Sequence, residues 1–484
     1  MGSKRAQINN GLGRRVNFED AGLNDLYDKA LLVIKNVQNP QRGTIPASTS
    51  PFIYRNNCVR DGCLTAMALD ASGHPPEAEQ YWRWMAAAQK PDGTWGTTYY
   101  PWSGEEKPFV EPEYDSLGQF LYGVYRHYEN TRDEAFLTAL WPAIKLSADW
   151  IVSNISGSGF SAPDYSIWEE TDKCSSPGPC EYNVFTQAWY VAGLNAMQGL
   201  ALSKGDRALA DWYAGGVAAI MTAIQRSSDV EPLGLWNPLG YYNRAITTGQ
   251  RVLTLQDSSS NILITLGIID AESDRASRHI TMLKTSLNQD GDGISRYKGD
   301  IYYYSSPYDP AGDEVGAPDP AWPQMAAWVA VCETFREERV EALARLKWIV
   351  KISGKGYMPH GEAVSSLTHG PVPSSMCEPL TGSSFVLAAL IYEGQYDLRI
   401  SVPGYHAGCY KQIEIVDAPD NWTQWRNVPY FTGRQGHRSS AELGTTIKRV
   451  YLSNDEDHLY IRIDNSAVFS PFWDGTSICA SCVC

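Results

Sequence analysis

A chain of 484 residues is long enough for one large buried core with a smaller unit beside it. Its formal net charge of -15, with no basic stripe, excludes nucleic acid and anionic membranes as partners. Aromatic residues make up 12 % of the chain and gather in polar loops, which points to a surface that stacks against rings.

Residues 1–23 read as a polar arm, and Met1-Gly-Ser-Lys-Arg carries no signal-peptide apolar region. No apolar run is expected to reach membrane-spanning length. Helical periodicity then recurs. It predicts twelve helices, near 24–38, 61–71, 76–89, 115–129, 133–153, 182–202, 205–227, 258–270, 274–287, 320–335, 337–351 and 380–393. Pro76 suits a first helical turn and Asp133 a cap. Links after the even-numbered helices are a few residues long. Those after the odd-numbered helices are long: 39–60, 90–114, 154–181, 228–257, 288–319 and 352–379. Short links join antiparallel neighbours. Strict alternation therefore places every long link at one end, and the economical closed form is mainly α: six α-hairpins in an (α/α)6 toroid over 24–397. Beyond it, Lys411-Gln-Ile-Glu-Ile-Val, Ile447-Lys-Arg-Val-Tyr-Leu and Leu459-Tyr-Ile-Arg-Ile alternate as strands. Residues 398–484 are predicted to form a partial β-sandwich-like segment.

The six long links carry the chemistry. The first ends in Cys58-Val-Arg60-Asp61; the second holds Trp95, Tyr99, Trp102 and Glu111-Pro-Glu113-Tyr114-Asp115. The third is Tyr165-Ser-Ile-Trp168-Glu169-Glu170, and the fourth has Trp236, Tyr241 and Tyr242. The fifth is Arg296-Tyr297-Lys-Gly-Asp300-Ile-Tyr302, the sixth Gly356-Tyr-Met-Pro-His-Gly-Glu362. Loops this long are uncommon unless functional. An indole beside a carboxyl grips a sugar ring and raises the carboxyl pKa, so that the acid keeps its proton near neutrality. The plain alternatives are solvated loop charges at Glu169 and Glu170, a helix-start ion pair at Arg60 and Asp61, and loop packing at Trp102. Cys174 and Cys180 bracket a Pro/Gly loop that a disulfide would close. Cys479 and Cys482 lack the further ligands that zinc needs.

These segments resemble glycoside hydrolase family 15, the glucoamylase and glucodextranase family, in order over about residues 24–395. Arg60-Asp61 resembles the pair that binds terminal glucose, and Pro112-Glu-Tyr-Asp115 the Gln-Arg/Leu-Asp segment opening the fourth helix. Ile167-Trp168-Glu169-Glu170 resembles the Leu-Trp-Glu-Glu segment whose first Glu is the general acid. Arg296-Tyr297 through Asp300-Tyr302 resembles a second sugar-holding segment, and Trp322 echoes a following Pro-Trp. The chain departs from the family at Cys58, where a Trp is usual, and at Glu362, displaced by two residues from the usual place of the base. Glu378 is the competing base.

The resemblance implies an inverting, exo-acting glycoside hydrolase releasing β-glucose from the non-reducing end of α-glucans or α-gluco-oligosaccharides. Glu169 would be the acid and Glu362 the base. Arg60, Asp61, Trp102, Asp115, Trp168, Glu170, Arg296 and Tyr297 would bind substrate, with Glu170 and Asp61 ionised. No cofactor or metal is expected, and the protein is expected to be a secreted monomer. The rival readings are a glycan-binding protein on the same scaffold and a toroid polysaccharide lyase. The carboxylate-rich mouth disfavours an acidic sugar.

Overall fold

The structure is a computed structural model. It describes residues 16–48, 55–165, 167–169, 180–289, 291–300, 319–353, 361–364 and 378–400, and the strands Tyr430–Thr432, Ile447–Asn454 and Leu459–Asn465. The chain divides into two compact units, 1–400 and 401–484.

Twelve α-helices occupy the described part of the first unit. They are α1 (Ala21–Val37), α2 (Val59–Ala71), α3 (Pro75–Ala88), α4 (Asp115–Thr131), α5 (Glu134–Ser153), α6 (Val184–Ser203), α7 (Arg207–Gln225), α8 (Ile262–Thr265), α9 (Asp274–Leu287), α10 (Pro323–Phe335), α11 (Arg339–Ser353) and α12 (Pro379–Tyr392). Their starts follow local chemistry. Asp20, Asp133, Asn183, Asp206 and Ser273 each accept hydrogen bonds from first-turn amides, and proline opens α3, α10 and α12. The helix predicted over 258–270 is shorter. Ser258–Asn261 forms a 3-10 turn, α8 adds four residues, and the chain leaves the helix at Gly267, whose φ is +69°. A serine run competes with its own backbone, and glycine takes the left-handed turn that ends the element.

The even-numbered helices are buried almost all round, and the odd-numbered ones bury one stripe. A helix apolar on every face belongs inside, an amphipathic one outside. The inner set closes a ring, α2 on α4, α4 on α6, α6 on α8, α8 on α10, α10 on α12 and α12 on α2. This is the (α/α)6 barrel. The α4–α6 seam is closest at Gly118, where an added Cβ would lie 2.1 Å from the Trp189 carbonyl oxygen. Contrary to expectation, α5 is long and apolar enough to cross a membrane. Its Phe136, Leu140, Ile144 and Ile151 are nonetheless buried in the core.

Neighbouring long links are stitched together at one mouth. Asn57–Cys58 pairs with Thr98–Tyr99, and Tyr165 N–H donates to the Pro112 carbonyl at 2.9 Å. Glu181–Asn183 pairs with Ala245–Thr247, Asp257 bridges to Tyr297, and Ala321 bridges to Val364. In the second unit Ile447–Asn454 is the central strand, antiparallel to Tyr430–Thr432 and Leu459–Asn465, with Tyr451 between Tyr430 and Arg462. The alternating segment at 411–416 lies outside the described residues, as do Cys174, Cys479 and Cys482. Cys180 is disulfide-bonded.

His279, on α9, is wholly buried beside this mouth. Tyr242 N–H donates to its Nδ1 at 3.2 Å, leaving Nε2 to face the Ser260 hydroxyl at 3.0 Å. Burial depresses the imidazole from 6.5 to about 3. The unfolded chain therefore binds a proton that the folded state refuses. The contribution of His279 to stability is complete above pH 6.5 and is lost as pH falls toward 3, by roughly 5 kcal/mol in all. His279→Gln should flatten the fall in Tm between pH 6.5 and 4, followed by circular dichroism. An unchanged slope would contradict this account.

Candidate active site

Arg60, in the first turn of α2, is the organising cation. It is only 6 % exposed, and it makes four hydrogen bonds and one further ion pair within the protein. Nε and Nη2 grip Asp115 at 2.8 and 3.3 Å, and Nη2 also reaches Glu113 at 3.1 Å. Nη1 holds the Ile167 carbonyl at 3.1 Å and Glu169 Oε1 at 3.2 Å. Asp115 also accepts from Gln119 at 3.0 Å. Arg60 acts here by placing three carboxyls, Glu169 among them.

Glu169 sits at φ +51°, in the left-handed region that non-glycine residues rarely occupy. Such strain concentrates at functional sites. Asp164 secures the loop it belongs to. The Asp164 carboxylate accepts from the Tyr114 amide at 3.0 Å, from the Thr186 hydroxyl at 2.8 Å and from the Asn183 side-chain amide. The Glu169 side chain is 28 % exposed. Burial raises its pKa above the ordinary glutamate range, Arg60 acts against the rise, and Asp115 adds to it.

Trp168 does not stand free in the mouth. Its Nε1–H donates to Asp257 at 2.7 Å, and its ring lies 6.0 Å from Trp322. Arg296 packs over both rings, 5.1 Å from Trp168 and 4.4 Å from Trp322, and lies 5.3 Å from Tyr297. Asp300 fixes Arg296 at 2.8 and 2.5 Å and accepts from the Trp322 indole at 3.1 Å. The two arginine segments expected at the mouth are thus brought there, each on its own carboxylate.

Asp61, Glu362 and Glu378 act electrostatically on one another at this mouth. Burial raises Asp61 to about 8; Arg60 opposes the rise, while Glu169, Glu362 and Asp115 strengthen it. Against the expectation that Asp61 stays ionised, its burial favours the protonated form. Glu362 is half-buried and acts electrostatically on Asp61, Glu378 and Arg296. Glu378, at the head of α12, is buried and does not cap the helix. Burial first, then Glu362, Asp61 and Glu169, push it well above the glutamate range. Cys58 is also among these groups, and its thiol is driven up by burial and by Asp61.

Trp102 is placed elsewhere. It is 62 % exposed, tilts against Tyr100 at 5.7 Å, and receives Arg42 Nε–H on its carbonyl at 2.8 Å. It borders an open cleft of about 420 Å³ with Asn39, Arg55 and Pro101. Glu170 lies outside the described residues. Glu113 and Asp257 were not among the expected site residues. Their signal was an acidic residue immediately before an inner helix, on the same face as a buried arginine or indole.

Fold and site together define an (α/α)6 barrel whose mouth holds two arginines among clustered carboxyls. Solved structures with a similar fold include glycosidases. A glycosidase in complex with glucose is 18 % identical, with a TM-score of 0.59 over 78 % of this chain and 98 % of its own. A bacterial glucoamylase complexed with acarbose gives 18 % and 0.63 over 78 % of this chain and 56 % of its own. Glucoamylase from Saccharomycopsis fibuligera gives 12 % and 0.60 over 79 % and 97 %. An uncharacterized glycosyl hydrolase of Methanocaldococcus jannaschii is 23 % identical over 289 residues; the match takes in 58 % of this chain and 42 % of that relative. No family profile matches the chain.

Proposed function

We infer that the protein is a glycoside hydrolase that releases β-glucose from the non-reducing end of an α-glucan or α-gluco-oligosaccharide by inversion. The observation that carries this reading is the pair of partly buried carboxyls at one mouth: Glu169, held by Arg60 and raised in pKa by burial, and Glu362, which acts electrostatically on Asp61 and Arg296. The neighbours' ligands, glucose and acarbose, support a sugar as the occupant.

Glu169 protonates the glycosidic oxygen as the bond to the anomeric carbon breaks. Glu362 takes a proton from the water that attacks the opposite face. Glu378 is the weaker candidate for the base, since burial, Glu362 and Asp61 push its carboxyl well above the glutamate range and so disfavour its ionised form. Asp61 is placed to hold a sugar hydroxyl, as donor or acceptor according to its proton. Cys58 leaves the wall beside it narrower than an indole would, which suits short or α-1,6-linked substrates.

The test is glucose release from maltose, isomaltose, dextran, starch and trehalose. Release from at least one is expected. None from any would leave a glycan-binding protein as the better reading.

A further inference from the structure

Glu113 and Glu169 approach the same guanidinium from neighbouring links, 3.1 Å from Arg60 Nη2 and 3.2 Å from Nη1, while Asp115 takes the bidentate face. Three carboxyls on one buried cation cannot all be ionised without two uncompensated charges. Glu113 is 6 % exposed, and its Oε1 has no hydrogen-bond partner among the described residues, a poor setting for a bare charge. We propose that Glu113 is a positioning residue for Glu169, the two carboxyls holding one proton between them across Arg60. The inference rests on reading Glu169 as the acid.

Two such carboxyls lose their protons in two steps that belong to the pair. The second step is delayed by the charge left by the first, so a fraction of Glu169 stays protonated to higher pH than a lone carboxyl would. Burial foremost, and then Glu169 and Asp115 against Arg60, set Glu113 well above the glutamate range; when Glu113 carries the proton its hydrogen bond lowers Glu169, as expected of two carboxyls sharing one proton. The other charged or titratable groups facing the pair are Arg60, Asp61, Cys58, Asp115, Asp164 and Glu378. None of them shares a guanidinium nitrogen pair with Glu169 as Glu113 does, apart from Asp115 on its own face.

The test is a carbon-13 NMR titration of Glu side-chain carboxyls, with the Glu169 signal assigned by its loss in Glu169→Gln. It is run beside the pH profile of kcat/KM. In the unaltered protein Glu169 should titrate in two steps. In Glu113→Gln it should titrate in one, and the alkaline limb should move down by roughly one pH unit. Glu113→Asp, which restores a carboxyl, should bring back the second step. A single step in the unaltered protein, or a limb that stays in place in Glu113→Gln, overturns the proposal. The NMR titration needs no turnover, so it decides the role of Glu113 even if none of the sugars is hydrolysed.

Discussion

Glu169→Gln is expected to slow glucose release by about a hundredfold or more, and Glu362→Gln by a similar factor, the usual size of a general acid or base contribution. The two losses should differ in their pH signatures. An acid must carry its proton, so Glu169→Gln should abolish the alkaline limb of the rate profile. A base must be ionised, so Glu362→Gln should abolish the acidic limb. Glu378→Gln should cost far less, because burial and the neighbouring Glu362 and Asp61 disfavour the ionised form a base needs. Steady-state rates across pH for the three variants check this. Full activity in Glu362→Gln with loss in Glu378→Gln would move the base to Glu378.

Arg60→Met is expected to be the most damaging single change to stability at the mouth. Removing one partner of a buried ion pair costs roughly 3–5 kcal/mol, and here one cation serves Asp115, Glu113 and Glu169. Part of the cost is avoided when the stranded carboxyls take up protons, and this sets the pH dependence. Carboxyls raised in the folded state bind protons that the unfolded chain has released, so stability falls as pH rises. The deficit of Arg60→Met should therefore be small near pH 4 and grow through neutrality, read as Tm against pH. Activity should be lost as well, since Glu169 would lose the contact from Nη1 that places it. A deficit independent of pH would mean that Arg60 acts through packing alone.

Much of the barrel was legible before the structure. The alternation of long and short links encoded the ring, because short links force antiparallel neighbours. The inner and outer assignment follows from helices such as Pro379–Tyr392, apolar on every face, against one-sided helices such as Asp274–Leu287. The eighth helix was misjudged in length because periodicity does not register a glycine that the fold sets at positive φ.

The site was legible as a set of segments more than as a set of roles. Arg60 reads as a sugar ligand from its motif, but the motif does not show that it also gathers Asp115, Glu113 and Glu169. The charge state of Asp61 was invisible in sequence, since it depends on burial and on residues from three other segments. Glu113 was in plain view two residues before Asp115. Nothing in local spacing says that both reach one guanidinium. Trp102 shows the opposite limit: an aromatic in a long link need not turn inward.

The central claim is inversion by Glu169 and Glu362 on opposite faces of an α-linked glucose. An inverting pair stands roughly 6.5–9.5 Å apart to admit water, against about 5–5.5 Å in a retaining one. The most direct measurement is the anomer of the first product, followed by proton NMR immediately after enzyme is added to the best α-glucoside and before mutarotation. The account predicts that β-glucose appears first and α-glucose only later. α-Glucose as the initial product would contradict it.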